Sequence, residues 1–205
     1  MINLNLRTFS LIKISIIYLI LCLNSSLADE NLKKNMIFIG SHDAKVKIKI
    51  FSSLTCPHCA NFHMNVISEI RKKYIENGQV QLIFLDFPLD QAAFNASKLL
   101  HCLDQKKQML FLDTLYESQT KWTNGSTIDD INENLKKIVK NLGISSTQFD
   151  RCLLDEVISD KILNGRIDAS QKYSIDSTPA IVINEKKLEG SVSFKSIKKK
   201  IEKLI

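Results

Sequence analysis

Residues 46–74 place a strand pattern, a pair of cysteines and a helix pattern in direct succession. Between 46 and 51, apolar residues alternate with lysines, the period-2 pattern of a strand that buries one face. Apolar residues then recur at spacings of three and four, as on the buried stripe of an amphipathic helix: Cys59, Phe62, Val66, Ile67, Ile70 and Tyr74. The sequence therefore predicts a strand that enters a helix through Cys56 and Cys59.

Cys56 and Cys59 form a C-x-x-C pair at the start of the predicted helix. The unpaired backbone N–H groups of a first helical turn favour an anion, so we expect Cys56 to be the thiolate. We expect Cys59, one turn further on, to be the covered, resolving thiol. Pro57 suits the first helical position, which has no intrahelical N–H bond to lose. His58, when protonated, adds positive charge beside the thiolate, and a stabilised thiolate makes the disulfide form a stronger oxidant.

A structural zinc site is the alternative use of these cysteines. Cys56, Cys59 and His63 supply three candidate ligands. Structural zinc usually takes four ligands, and the sequence contains neither a second C-x-x-C nor an H-x-x-x-H pair. The pattern therefore favours redox chemistry, and we predict no metal site and no other cofactor.

The N-terminus has the pattern of a cleaved secretory signal peptide. Arg7 and Lys13 precede an almost wholly apolar run at 14–23, and the sequence N-S-S-L-A follows at 24–28. The run is short for a membrane span, which favours cleavage after Ala28 over retention as an anchor. Cys22 lies in this run, so the mature chain keeps four cysteines, an even number in an oxidising compartment. We therefore predict a protein that is secreted into an oxidising compartment.

The charge of the chain does not indicate a nucleic-acid partner. The formal net charge is +6, and two of the positive charges belong to the predicted leader. The remaining charge is dispersed apart from the lysines at 198–200, which fit the solvated face of a terminal helix better than nucleic-acid binding. A mature length of about 177 residues fits one domain with a substantial core. No long heptad pattern indicates a dimer, so we predict a monomer.

Short apolar runs predict the other strands of an α/β protein. Residues 36–39 predict a first strand, and the run at 80–88 predicts a strand parallel to the one before Cys56, because a helix connects the two. The pattern at 180–190 predicts a hairpin. A last amphipathic helix is predicted over 194–205, with Leu204 facing inward.

Only helical patterns occur between these two groups of strands. Thr127 and Asp130 predict a capping box at the start of one helix. A single helical segment is predicted from 147 to 162, with Val157 on its apolar face. The faces of these helices predict core packing, and we assign none of them a ligand.

Three short motifs together carry a resemblance to a known family: C-P-H-C at 56–59, D-F-P-L-D at 86–90 and T-P-A at 178–180. In this order they resemble the DsbA-like thiol:disulfide oxidoreductases, and the resemblance covers nearly the whole mature chain. It implies an α/β protein with a thioredoxin fold and an inserted helical domain. The implied division is a signal peptide at 1–28, a thioredoxin-fold domain at 29–88 and 174–205, and an inserted helical domain at 89–173.

The resemblance also implies roles for single residues. Cys56 is implied as the attacking thiolate, Cys59 as the resolving thiol, and Pro179 as a cis-proline that lies against the disulfide. Two positions depart from the family. Ile50 stands where many thioredoxin-fold proteins carry a buried acid, so proton transfer from Cys59 must rely on water or another group. Thr178 resembles the isomerase branch more than the best-known oxidases, so Thr178 belongs with Pro57, His58 and Pro179 among the residues expected to modulate the site.

Cys102 and Cys152 are the remaining cysteines, and they lie in the predicted helical domain. They are either two buried free thiols or a structural disulfide between segments that the family packs together. In a secreted chain with no other partner for either cysteine, we favour the disulfide.

These observations predict a periplasmic enzyme that introduces disulfides into reduced or unfolded secreted proteins. The family implies a membrane reoxidant of the DsbB type as partner. A disulfide isomerase or reductase of the same fold is the first alternative, favoured by Thr178. The second is a metal-binding protein that uses Cys56, Cys59 and His63.

Overall fold

A five-stranded mixed sheet organises residues 37–205, the part of the chain that this computed structural model describes. The strands lie in the order β1-β3-β2-β4-β5. Their bounds are β1 Ile37–Ile39, β2 Val46–Ser52, β3 Val80–Asp86, β4 Ala180–Ile183 and β5 Lys186–Lys187. The predicted signal peptide, including Cys22, lies outside the described residues.

The central strand is β2, which pairs with β3 in parallel and with β4 antiparallel. The parallel pair confirms the predicted strand–helix–strand unit. The register sets Ser52 opposite Asp86 and Phe51 opposite Ala180. Since β2 and β3 end at the same edge of the sheet, the segments that follow them meet there.

One long helix, α1, connects β2 to β3. It consists of α-helical Pro57–Asn61, π-helical Phe62–Ile67, α-helical Ser68–Ile70 and π-helical Arg71–Ile75. The buried stripe of α1 agrees with the sequence pattern: Cys59, Phe62, Ile67, Ile70 and Tyr74. Val66 is only partly buried at the edge of this stripe.

Helices follow β3 up to β4, and a last helix follows β5. Their bounds are α2 Gln91–Cys102, α3 Gln105–Glu117, α4 Gln119–Trp122, α5 Ile128–Asn141, α6 Ser146–Leu154, α7 Glu156–Tyr173 and α8 Phe194–Ile201. Helix α2 packs against α5, α6 and α7, and Thr127 with Asp130 forms the predicted capping box of α5. The thioredoxin fold with a helical insertion is therefore confirmed.

Apolar clusters cover both faces of the sheet. Side chains alternate along a strand, so Ile50 and Ser52 share one face of β2 and Phe51 takes the other. The main core joins the Ile50 face to α1 and to the inserted helices. A smaller cluster joins Phe51 and Val182 to Ala169 of α7.

The single helical segment predicted from 147 to 162 is wrong, because Asp155 divides it into α6 and α7. The side chain of Asp155 accepts a hydrogen bond from the backbone N–H of Ile158 at 2.9 Å and so caps the new helix. Val157 lies in the first turn of α7 and is 80% exposed instead of buried. The terminal helix also ends earlier than predicted, at Ile201, and Leu204 is 37% exposed.

A disulfide joins Cys102, the last residue of α2, to Cys152 in α6. Their Cα atoms lie 6.0 Å apart across a sequence separation of 50 residues. In the chain-entropy description, closing a loop of this length stabilises the fold by about 4 kcal/mol.

Among residues 37–205, no helix combines the length and the apolar character that crossing a membrane requires.

Candidate active site

Cys56 is the N-cap residue of α1 and ends the loop that follows β2. Its carbonyl oxygen accepts hydrogen bonds from the backbone N–H groups of Cys59 at 3.0 Å and Ala60 at 3.2 Å. Pro57 occupies the start of the helix, as its sequence position indicates. Cys56 is 8% exposed. Its sulfur belongs to the N-terminal end of the helix, where free N–H groups favour a negative charge.

Cys59 lies one turn further along α1 and is only 1% exposed. Burial, together with the negative charge of Cys56, raises the pKa of the Cys59 thiol to about 12. Both cysteines are free thiols in this structure. The two members of the pair therefore differ, because Cys59 keeps its proton at neutral pH.

The loop before β4 lies against the sulfur of Cys56. Cys56 Sγ donates a hydrogen bond to the carbonyl oxygen of Thr178 at 3.5 Å. The pairing of Phe51 with Ala180 brings this loop to the end of β2. The Thr178–Pro179 peptide bond is cis, and Oγ1 of Thr178 is buried beside Cys59, whose pKa this hydroxyl acts to lower against the larger effect of burial.

The helical insertion holds the loop that carries Cys56. Gln119 Nε2 donates hydrogen bonds to the carbonyl oxygens of Leu54 at 2.7 Å and Cys56 at 3.1 Å. On another side, Thr55 Oγ1 donates to Asp90 Oδ2 at 2.6 Å. Sequence reasoning missed Gln119, because no local motif marks a glutamine that reaches across 63 residues.

The two histidines near the cysteines in sequence have different surroundings. His58 is exposed on the first turn of α1. His63 is buried, and its Nε2 lies 2.6 Å from Asp113 Oδ1, with Arg71 on the same oxygen at 3.4 Å. Within residues 37–205, no three His, Cys, Asp or Glu side chains are arranged to hold a metal ion.

Sequence reasoning also missed a second, partly buried His–Asp pair and a tyrosine near the cysteines. His101 Nε2 lies 2.6 Å from Oδ2 of Asp86, the last residue of β3. Tyr116 is buried on α3, and its pKa is raised well above the ordinary value, first by burial and then by the charge of Cys59. Asp86 belongs to the D-F-P-L-D motif, but no signal in the sequence pairs it with His101.

Comparison with known proteins places this site in a family. A thioredoxin family model matches residues 32–203. The crystal structure of α-DsbA1 from Wolbachia pipientis superposes with a TM-score of 0.75 and 31% identity, over 83% of this chain and 90% of that one. The chain belongs to the DsbA-like thiol:disulfide oxidoreductases of the thioredoxin family.

Two curated relatives extend the comparison. A Rickettsia bellii relative, provisionally named protein-disulfide oxidoreductase, is 28% identical over 173 residues. That match covers 84% of this DsbA-like chain but only 65% of the length of the relative. A Bacillus anthracis relative, provisionally named disulfide bond formation protein D, is 29% identical over 169 residues, which is 80% of this chain and 76% of the relative.

Proposed function

We propose that this protein is a periplasmic dithiol oxidase that introduces disulfides into secreted proteins. The observation that carries the proposal is the unequal environment of its two cysteines. Cys56 caps a helix N-terminus, whereas Cys59 is buried with a pKa of about 12. Dithiol exchange uses such a pair, because one sulfur must be stable as a thiolate and the other must be held in reserve.

The reaction begins when a substrate thiolate attacks Sγ of Cys56 in the oxidised pair. The bond between Cys56 and Cys59 breaks, a mixed disulfide joins the substrate to Cys56, and the Cys59 sulfur takes up a proton. A second substrate thiolate then attacks the substrate sulfur of the mixed disulfide. Cys56 leaves as a thiolate, the substrate has gained a disulfide, and the protein pair is reduced.

The loop at 178–180 is the proposed support for the substrate. Its Thr178 carbonyl lies at the sulfur of Cys56, and an extended peptide can add to exposed backbone by strand-like pairing. The buried hydroxyl of Thr178 acts on Cys59 and works to lower the pKa of its thiol, so we propose that it stabilises the Cys59 sulfur while that sulfur is a thiolate. Pro57, His58, Thr178 and Pro179 therefore remain the residues proposed to modulate the pair.

Each turnover leaves the pair reduced, so the cycle requires a reoxidant. We propose that a membrane reoxidant of the DsbB type restores the disulfide. We also propose that reduced secreted proteins are the substrates and that the enzyme is a monomer. A Bacillus subtilis relative named disulfide bond formation protein D, 25% identical over 188 residues, supports this direction of the reaction.

The proposal assigns a task to each part of the chain. Residues 1–28 act as the signal peptide that directs the chain to the periplasm. Residues 29–88 and 174–205 form the redox domain. Residues 89–173 form an inserted domain that positions the active-site loop, an assignment supported by the contacts of Gln119 with Leu54 and Cys56.

The test is a single-turnover reaction of the oxidised protein with a reduced peptide that contains two cysteines. We expect one peptide disulfide to form for each protein disulfide lost, as counted by alkylation and mass spectrometry. Protein with Cys56→Ala is the matched control and should oxidise no peptide. If the wild-type protein leaves the peptide thiols unchanged, the oxidase proposal is contradicted.

An isomerase is the second candidate, because Thr178 resembles that branch and its hydroxyl is buried beside the site. Refolding of a scrambled-disulfide substrate, compared with oxidation of the same substrate in reduced form, separates the two functions. An oxidase accelerates the second reaction more than the first. Faster recovery of the scrambled substrate without net oxidation would favour the isomerase.

A further inference from the structure

The strand next to β2, β3, places the carboxylate of Asp86 on the same face of the sheet as Ile50 and Ser52. Asp86 ends β3 and pairs in register with Ser52, which ends β2. Ser52 shares its face with Ile50, because side chains two residues apart on a strand point the same way. Ile50 is apolar, so β2 itself provides no acid here, and the carboxylate comes from the neighbouring strand.

Asp86 pairs with His101, and both side chains are largely shielded from solvent. The two side chains are 15% and 10% exposed, and His101 Nε2 lies 2.6 Å from Asp86 Oδ2. Burial acts to raise the pKa of Asp86, but the charges of His101 and Lys161 and the hydrogen bonds from His101 and Ser97 outweigh it and lower the pKa. The carboxylate therefore stays ionised beside a histidine, the side chain type that exchanges protons near neutral pH.

A small cavity adjoins this pair. Its volume is about 20 Å³, and its polar lining side chains are Ser52, Asp86 and Tyr116. The rest of the wall is largely apolar and includes Leu54 and Leu112. A space of this size holds about one water, and three polar groups supply the partners that a buried water needs.

Tyr116 links the cavity to Cys59. Burial is the largest cause of its raised pKa, followed by the charge of Cys59, while Asp86 adds a smaller effect and a hydrogen bond with Ser52 opposes it. Tyr116 therefore keeps its phenolic proton. Its helix, α3, packs against the Pro57–Asn61 segment of α1, which carries Cys59, and its side chain lines the cavity together with Asp86.

Every exchange reaction moves a proton at Cys59. When a substrate thiolate opens the pair, the Cys59 sulfur leaves as a thiolate and takes up one proton. When the pair is reoxidised, the Cys59 thiol loses one proton as its sulfur attacks the mixed disulfide at Cys56. Since Cys59 is 1% exposed, bulk water has little direct access to this sulfur.

We propose that Asp86 and His101, acting through Ser52, Tyr116 and one water in the cavity, carry this proton to and from Cys59. In the oxidising direction the pair delivers a proton to the leaving sulfur and regains one from solvent. In reoxidation the pair accepts the proton that the Cys59 thiol loses. Neither residue touches the substrate, so both are positioning residues. The inference rests on the proposed order of attack at Cys56 and Cys59.

The groups that face Asp86 define the expected pH dependence. They are His101 and Ser97 from α2, Lys161 from α7 and Tyr116 from α3. Burial lowers the pKa of Lys161, against the opposing charge of Asp86. The lowered pKa of Asp86 among these groups keeps its carboxylate ionised at neutral pH, where it can accept a proton.

The test follows the reduced protein after it is mixed with oxidised glutathione, by rapid acid quench, alkylation and mass spectrometry. Formation of the glutathione adduct measures attack by Cys56, and decay of the adduct measures attack by Cys59. We expect Asp86→Asn to slow the decay at pH 7 on the order of a hundredfold, the lower end of general acid–base contributions. Formation should stay unchanged, and the decay should recover as rising pH lets hydroxide deprotonate the thiol directly.

Tyr116→Phe gives an independent variant, because it removes only the hydroxyl and keeps the ring. It should slow the decay in the same direction even if Asp86→Asn folds poorly. The matched control is Asp113→Asn, which alters the other His–Asp pair, whose histidine and aspartate side chains are 6% and 31% exposed. That pair has the same 2.6 Å separation, and the His63 ring packs 4.7 Å from Tyr116, yet neither residue lines the cavity.

Three results would overturn the relay. They are a wild-type decay rate and pH profile in Asp86→Asn and Tyr116→Phe, an equal slowing in Asp113→Asn, or a uniform slowing that leaves the pH profile unchanged. Failure of the proposed function is different, because then the oxidised wild-type protein would leave the thiols of the dithiol peptide unchanged, whatever the decay rate of the glutathione adduct.

Discussion

The two cysteine pairs of this protein begin at opposite ends of helices. Cys56 caps the N-terminus of α1, whereas Cys102 is the last residue of α2. Free N–H groups at a helix N-terminus stabilise a thiolate, and free carbonyl groups at a C-terminus destabilise it. The first pair is therefore suited to repeated exchange, and the second is suited to a lasting bond.

The two pairs also differ in the number of residues that separate their cysteines. Cys56 and Cys59 are one helical turn apart, while 50 residues separate Cys102 from Cys152. In the chain-entropy description, a bond across the longer loop removes more freedom from the unfolded chain. The same residue type thus serves reactivity at one place and stability at the other.

The largest expected effect is the loss of activity on changing one cysteine of the first pair. Cys56→Ala should reduce oxidation of a dithiol peptide to the background rate, because no attacking sulfur remains. The double variant Cys102→Ser with Cys152→Ser should keep activity of the same order when assayed well below its melting temperature. Equal losses in the two variants would remove the distinction between the pairs.

Cys59→Ala should trap the reaction rather than abolish its first step. In reduced protein carrying this change, Cys56 still attacks a substrate disulfide and releases one substrate thiolate, but no second protein thiol releases the mixed disulfide that remains. Mixed disulfides with substrate should therefore accumulate on non-reducing gels, and added dithiothreitol should remove them. Normal turnover by this variant would show that the assigned order of attack is wrong.

The second pair should have its main effect on the free energy of unfolding. Loss of the Cys102–Cys152 bond removes about 4 kcal/mol in the chain-entropy description. For a domain of this size each kcal/mol shifts the melting temperature by roughly 2–4 °C, so we expect a decrease on the order of 10 °C. Thermal unfolding of the Cys102→Ser, Cys152→Ser protein, followed by circular dichroism, measures it.

Protein with Cys56→Ala and Cys59→Ala provides the control for that measurement. Its only described disulfide is Cys102–Cys152, so adding a reductant tests the same bond without changing a further side chain. An unchanged melting temperature in both experiments would contradict a stabilising role. Two reactive thiols in the oxidised wild-type protein would show that Cys102 and Cys152 are not joined.

The smallest expected effect belongs to Thr178→Val. This change removes a buried hydroxyl that acts on Cys59 and keeps the shape of the side chain. The melting temperature should hardly change, while the ratio of dithiol oxidation to scrambled-substrate recovery should shift. An unchanged ratio would mean that the hydroxyl does not act on the sulfurs.

The strand, the C-x-x-C turn and α1 could be predicted because their signals are local. Alternation marks β2, three- and four-residue spacing marks α1, and the helix-start chemistry of Cys56 and Pro57 lies between them. The break at Asp155 was missed because apolar spacing continues across it, although an aspartate that caps a helix stops the helix before it. Val157 was consequently assigned to the core and is exposed.

The contacts that surround the active-site cysteines could not be predicted from the sequence, because they form only through tertiary packing. Gln119 reaches the carbonyl of Cys56 across 63 residues, and His101 meets Asp86 across 15. Tyr116 comes near Cys59 only because α3 packs against α1. In the sequence alone, Gln119, His101 and Tyr116 look like ordinary helical positions.

The most direct test of the difference between the two pairs is a titration of the oxidised protein with glutathione redox buffers, read by alkylation and peptide mass spectrometry for each pair separately. A stabilised Cys56 thiolate makes its disulfide easier to reduce. We therefore predict that Cys56–Cys59 is reduced in buffers that leave Cys102–Cys152 intact. Reduction of both pairs together, or of Cys102–Cys152 first, would contradict the assignment of exchange to one pair and stability to the other.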